Sequence, residues 1–251
     1  MPVDISIIVP VYNEADNVLP MVREVVEAMA GVGRTWELLF VDDASTDATP
    51  SQIASAAQAD SRVRGLRHQR NAGQSAAVWT GIQATNSPII CTLDGDLQNN
   101  PADLPTMIGE LARFDFVSGM RVARQDRWLR KVSSRIARAA RKAALGVDIR
   151  DTGCAIRAFK RSALDGVFPF NGLHRFLPIL VHGGGAKTLE MPVSHRARVA
   201  GVSKYGVWNR LGRGIYDLIA ISWYQRRRYR PVEVTQLGKQ GSNTSLRDLS
   251  K

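Results

Sequence analysis

Long hydrophobic runs are missing from this sequence. None of its 251 residues falls in an apolar stretch that reaches 18 residues, so no segment is expected to span a bilayer. The amino-terminal stretch has no basic region followed by a long apolar run. Ile5–Val9 reads at once as a buried strand, and no secretory signal is expected. Cysteine is scarce: Cys91 and Cys154 lie far apart and lack metal-ligand spacing. That favours two reduced structural thiols in a cytoplasmic protein over a disulfide scaffold. No Pro/Ser/Gly linker divides the chain, and there is no internal repeat or low-complexity block. A Gly-x-Gly-x-x-Gly fingerprint after the first strand is also absent. Pro10-Val11-Tyr12-Asn13-Glu14 stands in its place, which argues against a nicotinamide-dependent oxidoreductase.

Acidic residues are few in one half only. Residues 1–111 hold 6 Lys/Arg and 14 Asp/Glu, a net of −8, whereas residues 112–251 hold 28 and 9, a net of +19. Such asymmetry points to an anionic partner for the second half, and nucleic acid, anionic lipid and phosphorylated substrates all qualify.

The first half alternates strands and helices. Strands are expected at 5–9, 37–41, 63–66, 89–93 and 114–118, with helices at 17–30, up to about 59, 74–84 and 101–112. Near-continuous apolar strands alternating with helices imply a mostly parallel, Rossmann-like sheet covered on both faces. In such sheets ligands bind beyond the carboxyl ends of the strands. Tyr12-Asn13-Glu14, Asp42-Asp43 and Asp94-Gly95-Asp96 each follow a strand, so they are expected to converge on one crevice. The second half is less regular: a basic helix over 127–145, strands at 155–159 and 189–195, and helices at 173–181 and 207–224. The tail from Pro231 is polar and reads as mobile.

Asp94-Gly95-Asp96 is the strongest single feature. Residues i and i+2 of an extended segment point to the same side, and two carboxylates there repel unless a cation sits between them. A hard divalent ion such as Mg²⁺ or Mn²⁺ suits oxygen ligands and keeps positions for phosphate oxygens. An isolated Asp-x-Asp is more often an acidic surface turn. Its place after the strand Ile89-Ile90-Cys91-Thr92-Leu93 favours the site instead. A non-catalytic nucleic-acid-binding protein would account for the basic half but not for this acidic cleft, so no nucleic-acid partner is expected.

Four ordered segments carry a family resemblance: Ile-Ile-Val-Pro-Val-Tyr-Asn-Glu (7–14), Val-Asp-Asp-Ala-Ser-Thr-Asp (41–47), Arg-Asn-Ala-Gly (70–73) and Leu-Asp-Gly-Asp-Leu-Gln-Asn-Asn-Pro (93–101). Over residues 4–206 the chain resembles the family-2 inverting glycosyltransferases of GT-A fold, in particular their polyprenyl-phosphate branch, which is similar to dolichol-phosphate mannosyltransferase. The resemblance implies a GT-A domain over 1–206 and a metal-dependent transfer of a hexose from a nucleotide-sugar donor of GDP-mannose or UDP-glucose type to a polyprenyl-phosphate acceptor. A related enzyme acting on a soluble or polysaccharide hydroxyl is the alternative. It also implies roles: Pro10, Tyr12 and Glu14 around the nucleoside, Val41 and Asp43 beside base and ribose, Asp94 and Gly95 on the donor, and Asp96 and Gln98 on the metal. Arg121 would lie near the donor phosphates or the acceptor. Asp151-Thr152-Gly153-Cys154, with Arg157 and Lys160-Arg161, would form the acceptor side. Arg198 and Lys204 would meet phosphate from a loop, and His174, Arg175 and His195 are further candidates. Simpler readings stand beside these: Tyr12 as a core aromatic, and Asp42 or Asp47 as helix caps.

Many family members carry carboxyl-terminal membrane spans, and this chain departs from them. Its helix over 207–230 instead places Trp208, Leu211, Ile215, Leu218, Ile219, Ser222 and Trp223 near one stripe, with Arg210 and Arg213 off it and Arg226-Arg227-Arg228 after it. Trp and Arg on an amphipathic helix suit an anionic membrane surface, here the inner face of the cell membrane. Packing on the catalytic domain, a homo-oligomer or a small membrane-protein partner would use the same stripe.

Overall fold

The computed structural model describes residues 3–121, 148–196, 207–227, 234–235 and 243–244. The expected basic helix over 127–145, and Arg198 and Lys204, lie outside the described residues.

Seven strands form one sheet in the order β3-β2-β1-β4-β6-β5-β7. They are β1 (Ile5–Val11), β2 (Trp36–Asp42), β3 (Val63–Arg67), β4 (Ile89–Thr92), β5 (Phe116–Arg121), β6 (Arg157–Lys160) and β7 (Thr188–Val193). All are parallel except β6, which runs antiparallel to both β4 and β5. The sheet is therefore mostly parallel, as the strand–helix alternation predicts. The expected fifth strand begins two residues late and continues to Arg121, which places that side chain at the carboxyl end of the sheet.

Side-chain alternation along the strands sorts the core into two layers. Ile5, Ile7, Val9 and Val11 face one side with Leu38, Phe40, Cys91 and Val117. There they meet α1 (Ala15–Met29), α2 (Thr49–Ala59) and α4 (Leu104–Glu110) through Val18, Met21, Val25, Ile53, Leu104 and Met107. Ile8, Leu39, Val41, Ile90, Phe116 and Phe159 face the other side. They are covered by α3 (Gln74–Gln83) and α5 (Leu173–Gly183). The buried residues of α1, Val18, Met21, Val25 and Met29, recur every three to four positions, so the helix buries one stripe. Both cysteines are free and buried. Burial pushes both thiols up, Cys154 to about 11, which suits structural rather than reactive thiols.

The last long helix, α6 (Val207–Arg227), docks on α5 by one face. Ile221 is buried in the α3/α5 layer, Gln225 Nε2 donates to Ile179 O at 3.1 Å, and the Tyr224 hydroxyl donates to Gly166 O. The Tyr224 ring also meets Phe168 edge to face at 4.7 Å. Of the stripe expected from the sequence, Ile219 and Trp223 are each 65% exposed, and Tyr216 joins them at 76%. Beyond it, the two-residue strands β8 (Val234–Thr235) and β9 (Asn243–Thr244) pair antiparallel within the tail.

Phe159 joins the reversed strand to its neighbour by stacking on Phe116, centroids 5.1 Å apart, with neither ring exposed. Phe159→Ala removes the stack and leaves a cavity. The expected outcome is a loss of about 3–5 kcal/mol in urea unfolding. A loss below about 1 kcal/mol would mean that β6 is not fixed by this contact.

Candidate functional site

The polar loops that follow β1, β2 and β4 meet at the carboxyl edge of the sheet. Each carries one non-glycine residue with positive φ: Asn13 (57°), Ala44 (62°) and Leu97 (58°). Backbone strain of this kind persists where surroundings over-determine it, and it clusters at functional sites. Gly95 has a steric reason. A Cβ there would lie 2.7 Å from Val11 Cγ1 and 3.1 Å from Pro10 O, so only glycine lets the β4 loop close on β1.

Asp43 ties two of the sequence motifs together. Its carboxylate accepts hydrogen bonds from the backbone amides of Ala72 (2.8 Å) and Gly73 (2.7 Å), and His68 Nδ1 lies 2.7 Å from the same group. Asn71 Nδ2 donates to Asp43 O at 3.2 Å. Arg70-Asn71-Ala72-Gly73 is thus wrapped round the aspartate, which fixes the start of α3. Val41 is fully buried against α3, so its side chain belongs to the core and only its backbone borders the crevice. Tyr12 is 39% exposed beside the crevice rather than a core aromatic. Glu14 accepts from Asn17 Nδ2, and its backbone amide donates to Thr49 Oγ1 at 2.8 Å. Asp47 is not the cap of α2, which is Ala48, but accepts from Thr49 N (2.9 Å) in its first turn, whereas Asp42 holds its own turn by accepting from Ser45 N (3.0 Å) and pairs with Arg67 Nε at 3.2 Å.

At the end of β4, Asp94 accepts from Gln74 Nε2 at 2.7 Å, and its amide meets Asn99 Oδ1 at 3.3 Å. Asp96 is buried, and its Oδ1 accepts from Gln98 N at 3.2 Å. Burial and the neighbouring Asp96 charge push Asp94 up to about 6, against the pull of Arg157 and Arg121. Two carboxylates that crowd each other in this way are a setting that a divalent cation relieves. Among the described residues no group of three or more His, Cys, Asp or Glu could hold a metal ion. The carboxylate oxygens of Asp94 and Asp96 are of the chemistry a hard divalent ion takes.

Cations face these acids from the second half. Arg121 pairs bidentately with Asp151, Nε to Oδ2 at 2.7 Å and Nη2 to Oδ1 at 2.8 Å, and that partnership raises its pKa. Asp151 also accepts from the amides of Arg121 and Gly153, both at 3.2 Å, while its own amide donates to Glu190 Oε1 at 2.9 Å. Its carboxylate is saturated, which fits positioning rather than proton abstraction. Arg157, at the start of β6, is buried; one Nη2 donates to Thr152 O at 3.2 Å and its Nε has no partner among the described residues. Burial lowers it to about 10, so it remains charged at neutral pH. His195 bridges to Asn99, and Arg196 N donates to Gln98 O at 2.9 Å. The described residues end there, before Arg198 and Lys204. Sequence reasoning missed Gln74, Asn99 and Glu190, whose partners are remote in the chain. The immediate sequel of Arg-Asn-Ala-Gly was the available signal for Gln74.

The mostly parallel sheet, with an Asp-Gly-Asp turn and facing arginines at its carboxyl edge, has the GT-A glycosyltransferase fold. A family model described as Glycosyl transferase family 2 matches residues 6–168. The chain is 39% identical over 237 residues to dodecaprenyl-phosphate galacturonate synthase of Rhizobium johnstonii, covering 91% of this chain and 69% of that one. It is 33% identical over 217 residues to undecaprenyl-phosphate 4-deoxy-4-formamido-L-arabinose transferase of Aeromonas hydrophila subsp. hydrophila, covering 86% and 66%. The chain thus spans about two thirds of the length of these relatives. Among solved structures, a mannosyltransferase from Pyrobaculum calidifontis in complex with GDP-mannose and Mn²⁺ superposes with a TM-score of 0.65 at 21% identity, covering 89% of this chain and 65% of that one. Glucosyl-3-phosphoglycerate synthase from Mycobacterium tuberculosis, with Mn²⁺, UDP and phosphoglyceric acid, also gives 0.65, at 19% identity and 97% and 86% coverage. The chain belongs to glycosyltransferase family 2 and is a glycosyltransferase.

Asp43→Asn keeps the volume but offers an amide where a backbone amide now meets a carboxylate oxygen. The expected outcome is a loss of about 1.5–3 kcal/mol in stability, the range for hydrogen bonds to charged groups. Faster hydrogen exchange at Ala72 and Gly73 should accompany it. Unchanged exchange at both amides would overturn the assignment of Asp43 as the anchor of this loop.

Proposed function

We propose that the chain transfers a hexose, with inversion, from a nucleotide-sugar donor of GDP-mannose or UDP-glucose type to a polyprenyl phosphate at the inner face of the cell membrane, using Mg²⁺ or Mn²⁺. The observation that carries this reading is the Asp94-Gly95-Asp96 turn at the carboxyl end of β4, faced by Arg121 and Arg157. The polyprenyl-phosphate substrates named for both relatives support the acceptor class.

Asp96 and Gln98 would hold the metal, with Asp94 and Gly95 on the donor and Pro10, Tyr12, Glu14, Asp43 and the Val41 backbone bordering the nucleoside. The bound ion would supply electrostatic stabilisation of the diphosphate leaving group. Arg198 and Lys204, outside the described residues, would add charge to the phosphates. Arg121, held rigid by Asp151, keeps Nη1 without a partner among the described residues, and this makes it a preorganised donor for an acceptor phosphate. A hydroxyl acceptor would require a general base, yet Asp151 is fully engaged. A phosphate monoester brings its own negative charge, with a second pKa of about 6. The saturated Asp151 therefore favours the lipid phosphate over the soluble or polysaccharide hydroxyl.

Purified protein assayed with undecaprenyl phosphate and a panel of nucleotide sugars tests this reading. Wild type should form a lipid-linked sugar, lose activity with chelator and regain it with Mn²⁺ or Mg²⁺. Asp96→Asn should reduce turnover at least about a hundredfold while thermal stability is kept. Full activity of the variant, or activity indifferent to chelator, would sink the metal role; product formed only on sugar hydroxyls would sink the acceptor.

Among the described residues no helix is long and apolar enough to cross a membrane. Tyr216, Ile219 and Trp223 recur at i, i+3 and i+7 on the face of α6 turned away from α5, and Arg226 and Arg227 are exposed at its end. That pattern supports peripheral binding, to which each basic residue adds about 1 kcal/mol near an anionic surface. Co-sedimentation with phosphatidylglycerol vesicles should fall in high salt and in Ile219→Ser/Trp223→Ala. Equal sedimentation of variant and wild type would assign the face to a protein neighbour.

A further inference from the structure

The first turn of α3 holds two adjacent residues with different partners. Gln74 Nε2 donates to Asp94 Oδ1 at 2.7 Å. Ser75 Oγ lies 2.6 Å from His174 Nδ1, and Gly172 N donates to the same hydroxyl at 2.9 Å. The positive φ of Gly172, 108°, turns the chain into α5 so that both groups reach Ser75.

These contacts fix the place of the imidazole. Gly172 N–H is an obligatory donor, so Ser75 accepts from it, and its remaining proton and second lone pair let it pair with Nδ1 in either tautomer. Burial and the charges of Arg175 and Arg157 push His174 down to about 4, so the ring is neutral at physiological pH. Nε2 of that neutral ring offers one hydrogen bond, as donor or as acceptor. Nε2 has no partner among the described residues, and the ring is only partly buried.

On this footing, and resting on the donor class proposed above, we propose that His174 is a specificity-determining residue that hydrogen-bonds through Nε2 to a hydroxyl of the transferred sugar. The chemistry of the surroundings selects that ligand. Neighbouring residues of the first turn of α3 hold both groups, Gln74 the Asp94 carboxylate and Ser75 the neutral His174 ring. A sugar hydroxyl donates and accepts at once, so it satisfies such a pair. Phosphate oxygens are better served by the cations already present at Arg121 and Arg157.

Isothermal titration of the full chain in Mn²⁺ separates the sugar from the nucleotide. The probes are UDP and GDP, against UDP-glucose, UDP-galacturonic acid and GDP-mannose. His174→Ala should weaken whichever nucleotide sugar wild type prefers by about ten- to a hundredfold, yet change the matching nucleoside diphosphate by less than about twofold. His174→Gln, whose amide can donate or accept in place of Nε2, should recover most of that preference. Equal weakening of nucleotide and nucleotide sugar would make His174 a structural residue and overturn the proposal, as would unchanged binding of both. If wild type binds none of the three sugars more tightly than it binds the diphosphates, the donor class proposed above falls together with this assignment. A wild type that binds them, beside a His174→Ala variant that binds them equally well, removes this assignment alone.

Discussion

The carboxylate of Asp43 receives two backbone amides and an imidazole from a loop some thirty residues downstream, and most of the cleft is positioned through that contact. Ala72 and Gly73 are the last residues before α3, so the aspartate sets where the helix begins. From that start, Gln74 reaches Asp94 and Ser75 reaches His174. An ionised acceptor meeting main-chain donors forms shorter, stronger bonds than a neutral one. One side chain at the end of β2 therefore aligns the floor of the site at β4 and the entrance of α5.

A second charged chain organises the other side. Glu190 on β7 accepts from the amides of Arg150 and Asp151, and Asp151 in turn grips Arg121 at the end of β5. Arg121 and Arg157 then oppose Asp94 and Asp96 across the crevice. The two sides meet in one sheet with opposite net charge, −8 over residues 1–111 and +19 over residues 112–251.

Much of this was legible in the sequence because it is local. Near-continuous apolar runs marked β1, β2 and β4, and the loop motifs follow those strands directly. The reversed direction of β6 was not legible: Arg157–Lys160 is four residues long and reads the same either way. Nor did spacing reveal that Asp43 would spend its carboxylate on Ala72 and Gly73, or that Val41 would point into the core. Those outcomes depend on which segments meet in three dimensions. Arg157 shows the same limit: an arginine next to apolar residues looks solvated until two neighbouring strands bury it. The face of α6 was half readable. Its apolar stripe was visible, but the docking of Tyr224 and Gln225 on Gly166 and Ile179 decides which residues stay outside.

The reversed strand divides the labour of the crevice. Because β6 runs against β4 and β5, its first residue rather than its last stands at the carboxyl edge: Arg157 lies opposite Thr92 and Ser118. The connection that leads into it, with Asp151 and Thr152, is thereby delivered to the same edge as the loops of the parallel strands. The chain between β5 and β6 departs from that edge and returns to it. One strand set against the others thus brings an arginine from the middle of the second half to the edge at which β1, β2 and β4 end, while those three strands keep their parallel register.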